Sequence, residues 1–288
     1  MTICSMRFSD HKCNRRAVKE DKCFWHAHIA KNVENLEQNY PQYVDLKQKL
    51  LAEEAKKQLV GFYLKEADLR RANLVEADLR RANLVEASLV EANLRRASLV
   101  EANFEGAYLE GANLWGANLM GANLAGANLV EANLMKANFV EANFEGAYLE
   151  GASFRGANLC GANLIGVNLR RVTLRGANLC GANLAGANLR GAKLQKANLK
   201  EADLVEADLR RANLVEASLQ GANLMGANLQ GVLNLTVGQL SKVQTLCGAK
   251  LDSKLMKQIR KNHPHLLQEP KPDEWVRFAK FYIANIRK

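Results

Sequence analysis

Residues 111 to 130 read GANLWGANLMGANLAGANLV, four copies of a five-residue unit with Leu as its fourth residue. The same phase holds without a break from Leu64 to Leu229, where all 34 positions taken in steps of five are Leu or Phe. The residue two before each of these central positions is Ala, with three exceptions: Phe62, Val167 and Val172. The residue between this Ala and the central Leu or Phe is Asn, Asp or Ser almost throughout. A period of five fits neither a helix nor a strand, and it predicts a repeat architecture.

The five-residue unit predicts a coil with four sides. If each unit forms one side, the central Leu or Phe points to the axis and the small Ala lies inward beside it, because a narrow tube has no room for more large side chains. Successive coils would stack at strand spacing, so the repeat should form about 8.5 coils at about 4.8 Å each, a rod about 40 Å long. An Ala/Leu-rich helical protein is the rejected alternative, because Leu at every fifth residue makes no stripe on a helix.

The A(N/D)LxX unit resembles the repeat of the pentapeptide-repeat family, whose members fold as right-handed quadrilateral β-helices. The resemblance covers residues 62–232 and implies an all-β solenoid of about 8 coils at strand spacing. There is no Pro between Pro41 and Pro264, which agrees with this fold because Pro would remove a stacking donor.

Helical caps are predicted at both ends, because an open solenoid exposes unpaired backbone. Residues 31–61 form the predicted N-terminal cap, with a helix opened by Asp45-x-x-Gln48. Residues 233–288 form the C-terminal cap and tail, with a capping box at Thr236-x-x-Gln239 and a helix from about Ser253 to Lys261. A last helix is predicted from near Asp273, and docking to a partner is its alternative role.

Residues 1–30 carry Cys4, Cys13, Cys23 and His26 in the spacing C-x8-C-x9-C-x2-H. Three thiolates and one imidazole predict one structural zinc ion (Zn) per chain, in a closed site that leaves no position for catalysis. The segment is similar to short zinc knuckles with three Cys and one His, including the plant module named for its Trp-Arg-Cys motif. It lacks the Trp-Arg before the second Cys, and its spacings are slightly shorter. His11 and His28 are substitute ligands, and free thiols in a tail are the alternative.

The net charge of +10 lies at the ends of the chain. Residues 62–231 hold 18 basic and 18 acidic side chains, whereas residues 1–61 carry +3 and residues 232–288 carry +7. No apolar run approaches the roughly 18–20 residues of a membrane span, and no signal peptide is evident. Six Cys without a secretion signal favour a reducing compartment. The expected location is therefore cytoplasmic, with no membrane partner.

Residues 20 apart should share one face of the rod and form lanes along it. An apolar lane and a basic strip stand out. The apolar lane comprises Val100, Met120, Val140, Cys160 and Cys180, with the two Cys interpreted as free thiols. The basic strip comprises Arg170, Arg190 and Arg210, flanked by Arg171 and Arg211. Such lanes mark partner surfaces or are ordinary solvated faces. Further apolar lanes run from Ala125 to Met225 and through Trp115 and Met135.

These features predict a protein–protein interaction scaffold and no enzyme, because a rod has flat faces without a cleft. No His occurs from residue 29 to 262, so a His-dependent nucleophile cannot lie on the solenoid. The first alternative is a nucleic-acid-associated protein that acts through the zinc knuckle and the basic tail. The family resemblance implies a second alternative, binding to DNA gyrase by mimicry of duplex DNA. That mimicry needs a strongly acidic rod, and this rod is neutral.

Overall fold

The computed structural model describes residues 59–269 and the backbone of four short strands near the N-terminus. Strand β1 (Arg7–Phe8) pairs antiparallel with β2 (His11–Lys12), and β3 (Ala17–Lys19) pairs antiparallel with β4 (Lys22–Cys23). The predicted helix that opens at Asp45 and the one near Asp273 lie outside the described residues.

The repeat forms a ladder of single parallel β-bridges between residues 20 apart, from Tyr63 opposite Asn83 to Asn213 opposite Leu233. Each bridge lies at the residue before a central Leu or Phe, so each five-residue unit provides one bridge. Four units return the chain to the same side, which confirms the predicted 20-residue register of a four-sided coil. Between residues 59 and 269 the ladder contains no continuous strand, because a turn follows every bridge.

The central residues fill the axis of the solenoid. All 34 of them are buried, from Leu64 to Leu229, and the inward Ala residues are buried beside them. This confirms the predicted inward orientation. One coil holds three aromatic rings, Phe139, Phe144 and Phe154, with ring centroids 5.1 to 5.9 Å apart. That coil is the most heavily filled of the core, because each of the other described coils carries at most one central Phe.

Each corner of the coil is a β-turn closed by one backbone hydrogen bond, as between Ala127 N and Leu124 O at 3.1 Å. The third residue of the turn has a positive φ at every corner, +64° at Gly126 and +58° at Glu131, while the second residue does not. That combination defines a type II turn, in which Gly is favoured at the third position. Here Gly alternates with Glu, Arg and Lys at this position.

The middle residue of the unit secures both the corner and the stack. Its side-chain oxygen accepts the backbone N–H two residues later, as from Ala125 to Asn123 Oδ1 at 3.2 Å. The amide groups also bond along the rod, with Asn143 Nδ2 donating to Asn123 Oδ1 at 3.3 Å and Asn163 Nδ2 donating to Asn143 Oδ1 at 2.9 Å. This double use explains the frequency of Asn at the position.

The ladder continues past residue 232, where the sequence pattern placed its end. Helix α1 (Val237–Leu240) interrupts the last coil, after which Thr245 lies opposite Asn223 and Lys250 opposite Asn228, 22 residues apart. Residues 245–251, TLCGAKL, repeat the unit with its phase shifted by two, and this shifted unit is the sequence signal for the extension. The rod therefore includes pairing that the unbroken five-residue phase does not reveal.

Helices follow the last coil and pack on it. Helix α2 (Ser253–Asn262) and the 3-10 helix Pro264–Leu267 bury Ile259 and Leu266 in the same core. The predicted capping box at α1 is confirmed, with Thr236 Oγ1 accepting from Gln239 N at 3.2 Å. Gln239 Nε2 also donates to the carbonyls of Leu214 and Ala217, each at 2.9 Å. The Gln239 side chain thus occupies acceptors at the point where the regular register ends.

Candidate interaction surfaces

The predicted zinc ligands Cys4, Cys13 and His26 lie outside the described residues. Only the backbone of Cys23 is described, in strand β4. The zinc site therefore stays a prediction. Within the described part of the chain, no three His, Cys, Asp or Glu side chains are grouped as a metal would require. In that same part no helix combines the length and the apolar character needed to cross a membrane.

The register sorts the charged residues of the rod onto its corners. We number the four corners by the two central residues of their turns. In the first coil, corner 1 contains residues 65 and 66, corner 2 residues 70 and 71, corner 3 residues 75 and 76, and corner 4 residues 80 and 81. Each corner then continues with the equivalent residues 20 further along the chain in every later coil. Corner 1 is acidic, with Glu66, Glu86, Glu105, Glu145 and Glu206 against Lys65. Corner 3 is basic, with Arg95, Arg96, Lys136, Arg155, Arg175 and Lys196 against Glu76 and Glu216.

Corners 1 and 3 are diagonally opposite in a four-sided coil. The rod is therefore neutral in sum but polarised across its width. The two acidic residues of corner 3 lie at its ends, where Glu76 contacts Arg96 at 3.7 Å and Glu216 contacts Lys196 at 3.5 Å. Among the described residues, no carboxylate lies within ion-pair distance of Arg155 or Arg175 in the middle of corner 3. This corner therefore presents uncompensated positive charge to solvent.

Trp115 gives corner 3 an aromatic centre. Its half-buried ring lies between two cations, with Arg96 Cζ 5.3 Å and Lys136 Nζ 5.4 Å from the ring centroid. Cations over the face of an indole ring are attracted by its quadrupole. The predicted apolar lane through Trp115 and Met135 is thus in fact an amphipathic strip in which cations cover the aromatic ring.

The apolar lane lies on corner 4, where its members stack as the 20-residue register predicts. Met120 is 42% exposed, and Val140, Cys160 and Cys180 are half-buried. The two cysteines are free thiols, as predicted. Burial raises the pKa of the Cys160 thiol, and the neighbouring Cys180 raises it further. A raised pKa keeps Cys160 protonated and makes it a weak nucleophile at neutral pH.

The second side of the coil, which leads into corner 2, carries the most exposed aromatic residues. We call it the tyrosine side. Its outward-facing residues are residue 68 and every twentieth residue after it, so they include 88, 108, 128 and 148. Tyr108 is 52% and Tyr148 64% exposed on this side. Corner 2, at its edge, carries Glu110, Glu131 and Glu150 and then the predicted basic strip of Arg170, Arg171, Arg190, Arg210 and Arg211. The charge of this corner therefore changes sign along the rod.

The backbone hydrogen bonds of the ladder are weaker on the tyrosine side, at the level where that sign change occurs. Regular rungs lie on both flanks, from Phe144 N to Asn163 O at 2.9 Å and from Phe154 N to Thr173 O at 2.8 Å. Between them, the bridges from Tyr148 to Asn168 and from Ser153 to Thr173 remain, but five backbone N–H groups form no well-aligned backbone hydrogen bond among the described residues: Gly146, Leu149, Gly151, Asn168 and Thr173. We call this weakened level the gap in the ladder. From residue 83 to residue 214 the ladder has no other gap.

The gap coincides with the two interior exceptions to the repeat. Val167 and Val172 stand where the unit otherwise has Ala, and the preceding coil is the one with three Phe rings. Extra methyl groups in a filled core force neighbouring backbone apart. Ala147, which faces Val167 across the gap, is 5% exposed, whereas nearly every inward Ala elsewhere in the middle of the rod is fully buried. The sequence showed the exceptions but not their effect on the ladder.

Comparison with known proteins identifies the repeat. The family model described as pentapeptide repeats matches in 8 copies, over residues 63–99, 97–134, 137–176, 174–211 and 192–231, more than half of the chain. None of the curated proteins matches the sequence of this chain.

Several solved structures of repeat proteins are similar to this chain. HetL, a pentapeptide repeat protein involved in heterocyst differentiation regulation from the cyanobacterium Nostoc sp. strain PCC 7120, is 35% identical over 72% of this chain and 90% of its own, with a TM-score of 0.46. Full-length QnrB1, a plasmid-mediated fluoroquinolone resistance protein, is 18% identical over 71% of this chain and 95% of its own, with a TM-score of 0.37. A pentapeptide repeat protein of the Arabidopsis thaliana thylakoid lumen is 33% identical over 39% of this chain and 71% of its own, with a TM-score of 0.17. Because the family model matches more than half of its residues, the chain belongs to the pentapeptide repeat family.

Proposed function

We propose that this chain is a non-enzymatic scaffold that binds protein partners in the cytoplasm through the corners of its solenoid. The observation that supports it most is the separation of charge between corner 1, with five Glu against Lys65, and the diagonal corner 3, with six cations against two Glu. Complementary charge steers association and selects partners. The hydrogen-bonded ladder holds these side chains at fixed spacing, so little order is lost on binding.

The proposal includes the ends of the chain. We infer that α1, α2 and the 3-10 helix cap the rod, because they pack on its last coil and Gln239 of α1 occupies the carbonyls of Leu214 and Ala217. The N-terminal segment with Cys4, Cys13, Cys23 and His26 is proposed as a zinc-stapled module of structural role. The rod and its two flanking segments would then be separate parts of one scaffold.

The test is capture of partners from an extract of the source cells on the immobilised full-length chain. A corner 3 variant replaces Arg95, Arg155, Arg175 and Lys196 by Gln. A control with the same loss of charge replaces Arg80, Arg81, Lys200 and Lys250 by Gln, away from corner 3. The scaffold proposal predicts a protein that is retained by the parent and the control, is lost from the corner 3 variant, and binds when purified. If the corner 3 variant and the control retain the same proteins, corner 3 is not the binding surface.

Nucleic acid is the alternative partner, and the basic corner 3 with Trp115 is the observation that favours it. Phosphate contacts release counterions, so such binding falls steeply with salt. We expect only weak retention of duplex DNA or RNA at about 0.15 M salt, where the Debye length is about 8 Å. Submicromolar binding under that condition would favour this alternative. Gyrase binding by DNA mimicry would need acidic charge on all sides, and corner 3 is basic.

A further inference from the structure

We propose that the tyrosine side and corner 2 bind a second copy of this chain, with the two rods antiparallel about a two-fold axis between residues 150 and 170. This inference goes beyond the scaffold function, because it needs no other protein. It rests on the order of charges along corner 2 and on the exposed tyrosines.

The first step is the distribution of uncompensated charge along corner 2. Arg70 and Arg71 in the first coil are satisfied within the chain, by Asp68 at 2.8 Å and Glu91 at 2.7 Å. From there the corner is acidic through Glu110, Glu131 and Glu150 and then basic through Arg170, Arg171 and Arg190. Among the described residues, none of these six has an ion-pair partner. The corner is therefore negative in one half and positive in the other.

The second step is the register of the pairing. With coils about 4.8 Å apart, Glu150 and Arg170 each lie about 2.4 Å from the midpoint along the rod axis, and Glu131 and Arg190 each lie about 7 Å from it. A two-fold axis at the midpoint therefore sets Glu150 against Arg170 of the partner and Glu131 against Arg190 of the partner. A parallel arrangement in register would set like charges together. The corner is thus complementary to itself only when the rods are antiparallel.

The third step is the surface beside the corner. Tyr108 and Tyr148 project from the tyrosine side among short residues such as Asn128, Asn168 and Asn188. Tyr is enriched at the centres of interfaces, because it combines a large apolar ring with a hydroxyl that can bond. In the antiparallel pair, Tyr148 meets the short Asn168 of the partner, and Tyr108 meets Asp208 of the partner, which is paired with Arg210 of its own chain at 2.6 Å. Each ring therefore has room to lie flat on the partner.

The experiment measures dimerisation by sedimentation velocity, with the full-length chain and two charge-reversed variants, Arg170→Glu and Glu150→Arg. We expect a concentration-dependent dimer that weakens with salt, and a dissociation constant raised about tenfold or more in either variant. An equimolar mixture of the two variants should restore the dimer, because each native side chain then faces its native partner and the two introduced charges are again opposite. The variant with both reversals in one chain should restore it too.

Charge-matched controls lie on other corners. Arg175→Glu on corner 3 and Glu141→Arg on corner 4 should leave the dimer unchanged, and circular dichroism should show every variant folded. The proposal is overturned if the parent stays monomeric up to about 1 mM. It is overturned equally if the dimer persists in Arg170→Glu, if the controls weaken it as much, or if the mixture fails to restore it. Partner capture through corner 3 is unaffected by any of these results.

Discussion

The corner residues of this fold adopt the left-handed backbone conformation, which is unfavourable for residues other than Gly. A residue with a side chain costs about 1–2 kcal/mol in that conformation, and Gly costs much less. Glu141 (φ +58°) takes this conformation without an ion-pair partner among the described residues, whereas Arg81 and Glu101 form a cross-coil pair at 2.7 Å. Exposed pairs contribute only about 0–1 kcal/mol, so they offset the strain in part.

This strain can be measured in both directions. Gly166 (φ +64°) has open space around an added Cβ, so Gly166→Ala should lower the free energy of unfolding by about 1–2 kcal/mol through backbone strain alone. Glu141→Gly should raise it by a similar amount. Urea denaturation followed by circular dichroism measures both. Equal stability of Gly166→Ala and the parent would refute the strain account.

Asp203 is the residue whose charge state should matter to the rod. It lies in an Asn lane between the buried Asn183 and Asn223, and desolvation raises its pKa against the opposing hydrogen bond from Val205 N. A raised pKa means that the folded state favours the neutral form, so stability falls as pH rises through the unfolded value of 3.8 towards the folded pKa. Asp203→Asn should therefore increase the melting temperature at pH 7, and the increase should vanish below 3.8.

Asp208→Asn is the control of opposite sign. The side-chain hydrogen bond from Arg210 lowers the pKa of Asp208, so its carboxylate stabilises the fold above the unfolded value of 3.8 and loses that effect as pH falls through the folded pKa. This variant should melt below the parent at pH 7 and match it in strong acid. The same shift for both variants would contradict the assignment.

At the scale of the element, the gap in the ladder should be the weakest part of the solenoid. Amides with poorly aligned hydrogen bonds exchange with solvent faster than those in regular rungs. Gly146, Leu149 and Gly151 should therefore exchange faster than Gly126, Leu129 and Glu131 one coil earlier, whose rungs are each 2.8 Å. Hydrogen exchange resolved by NMR measures this difference.

Relief of the crowding should close the gap. The double variant Val167→Ala and Val172→Ala removes the methyl groups held responsible and should slow exchange at Gly146, Leu149 and Gly151. Val85→Ala, at a half-buried turn position, is the control and should have no such effect. Unchanged exchange in the double variant would show that these two residues do not cause the gap.

The sequence predicted the elements whose signal is local and periodic. The phase of Leu64 to Leu229 was sufficient for the core and the four-sided register, and Thr236-x-x-Gln239 for the capping box. The left-handed turn was harder to see, because Glu and Arg share that position with Gly. The coil at residues 245–251 was not predicted, because α1 shifts its phase by two. The gap at Val167 was not predicted either, because it depends on how the side-chain volumes of neighbouring coils fit together.

At the scale of the whole molecule, a net charge of zero hid the arrangement of charge. The sum over residues 62–231 is the same whether the charges are mixed or sorted, and only the 20-residue register separates corner 1 from corner 3.

The N-terminal segment should also behave as an independent part. Protein purified without chelator should carry about one zinc per chain, as a closed site with three Cys and one His requires.

Cys13→Ser should abolish that zinc and leave the circular dichroism of the solenoid nearly unchanged, because the core from Leu64 to Leu229 contains no ligand. Metal analysis by mass spectrometry is the measurement, and Cys247→Ser, which alters a free thiol in the described part, is the control. Native protein without zinc would refute the site.

Every surface assigned to this molecule depends on one claim, that each five-residue unit pairs with the unit 20 residues away. Scalar coupling across hydrogen bonds in a deuterated, doubly labelled sample tests it directly, because it reports which carbonyl accepts from which amide. We predict couplings from Leu124 N to the carbonyl of Asn143 and from Leu129 N to that of Tyr148, and a weaker one from Leu149 N to that of Asn168. Couplings from these amides to the carbonyl four residues earlier, as in a helix, or to any other partner along the chain, would contradict it.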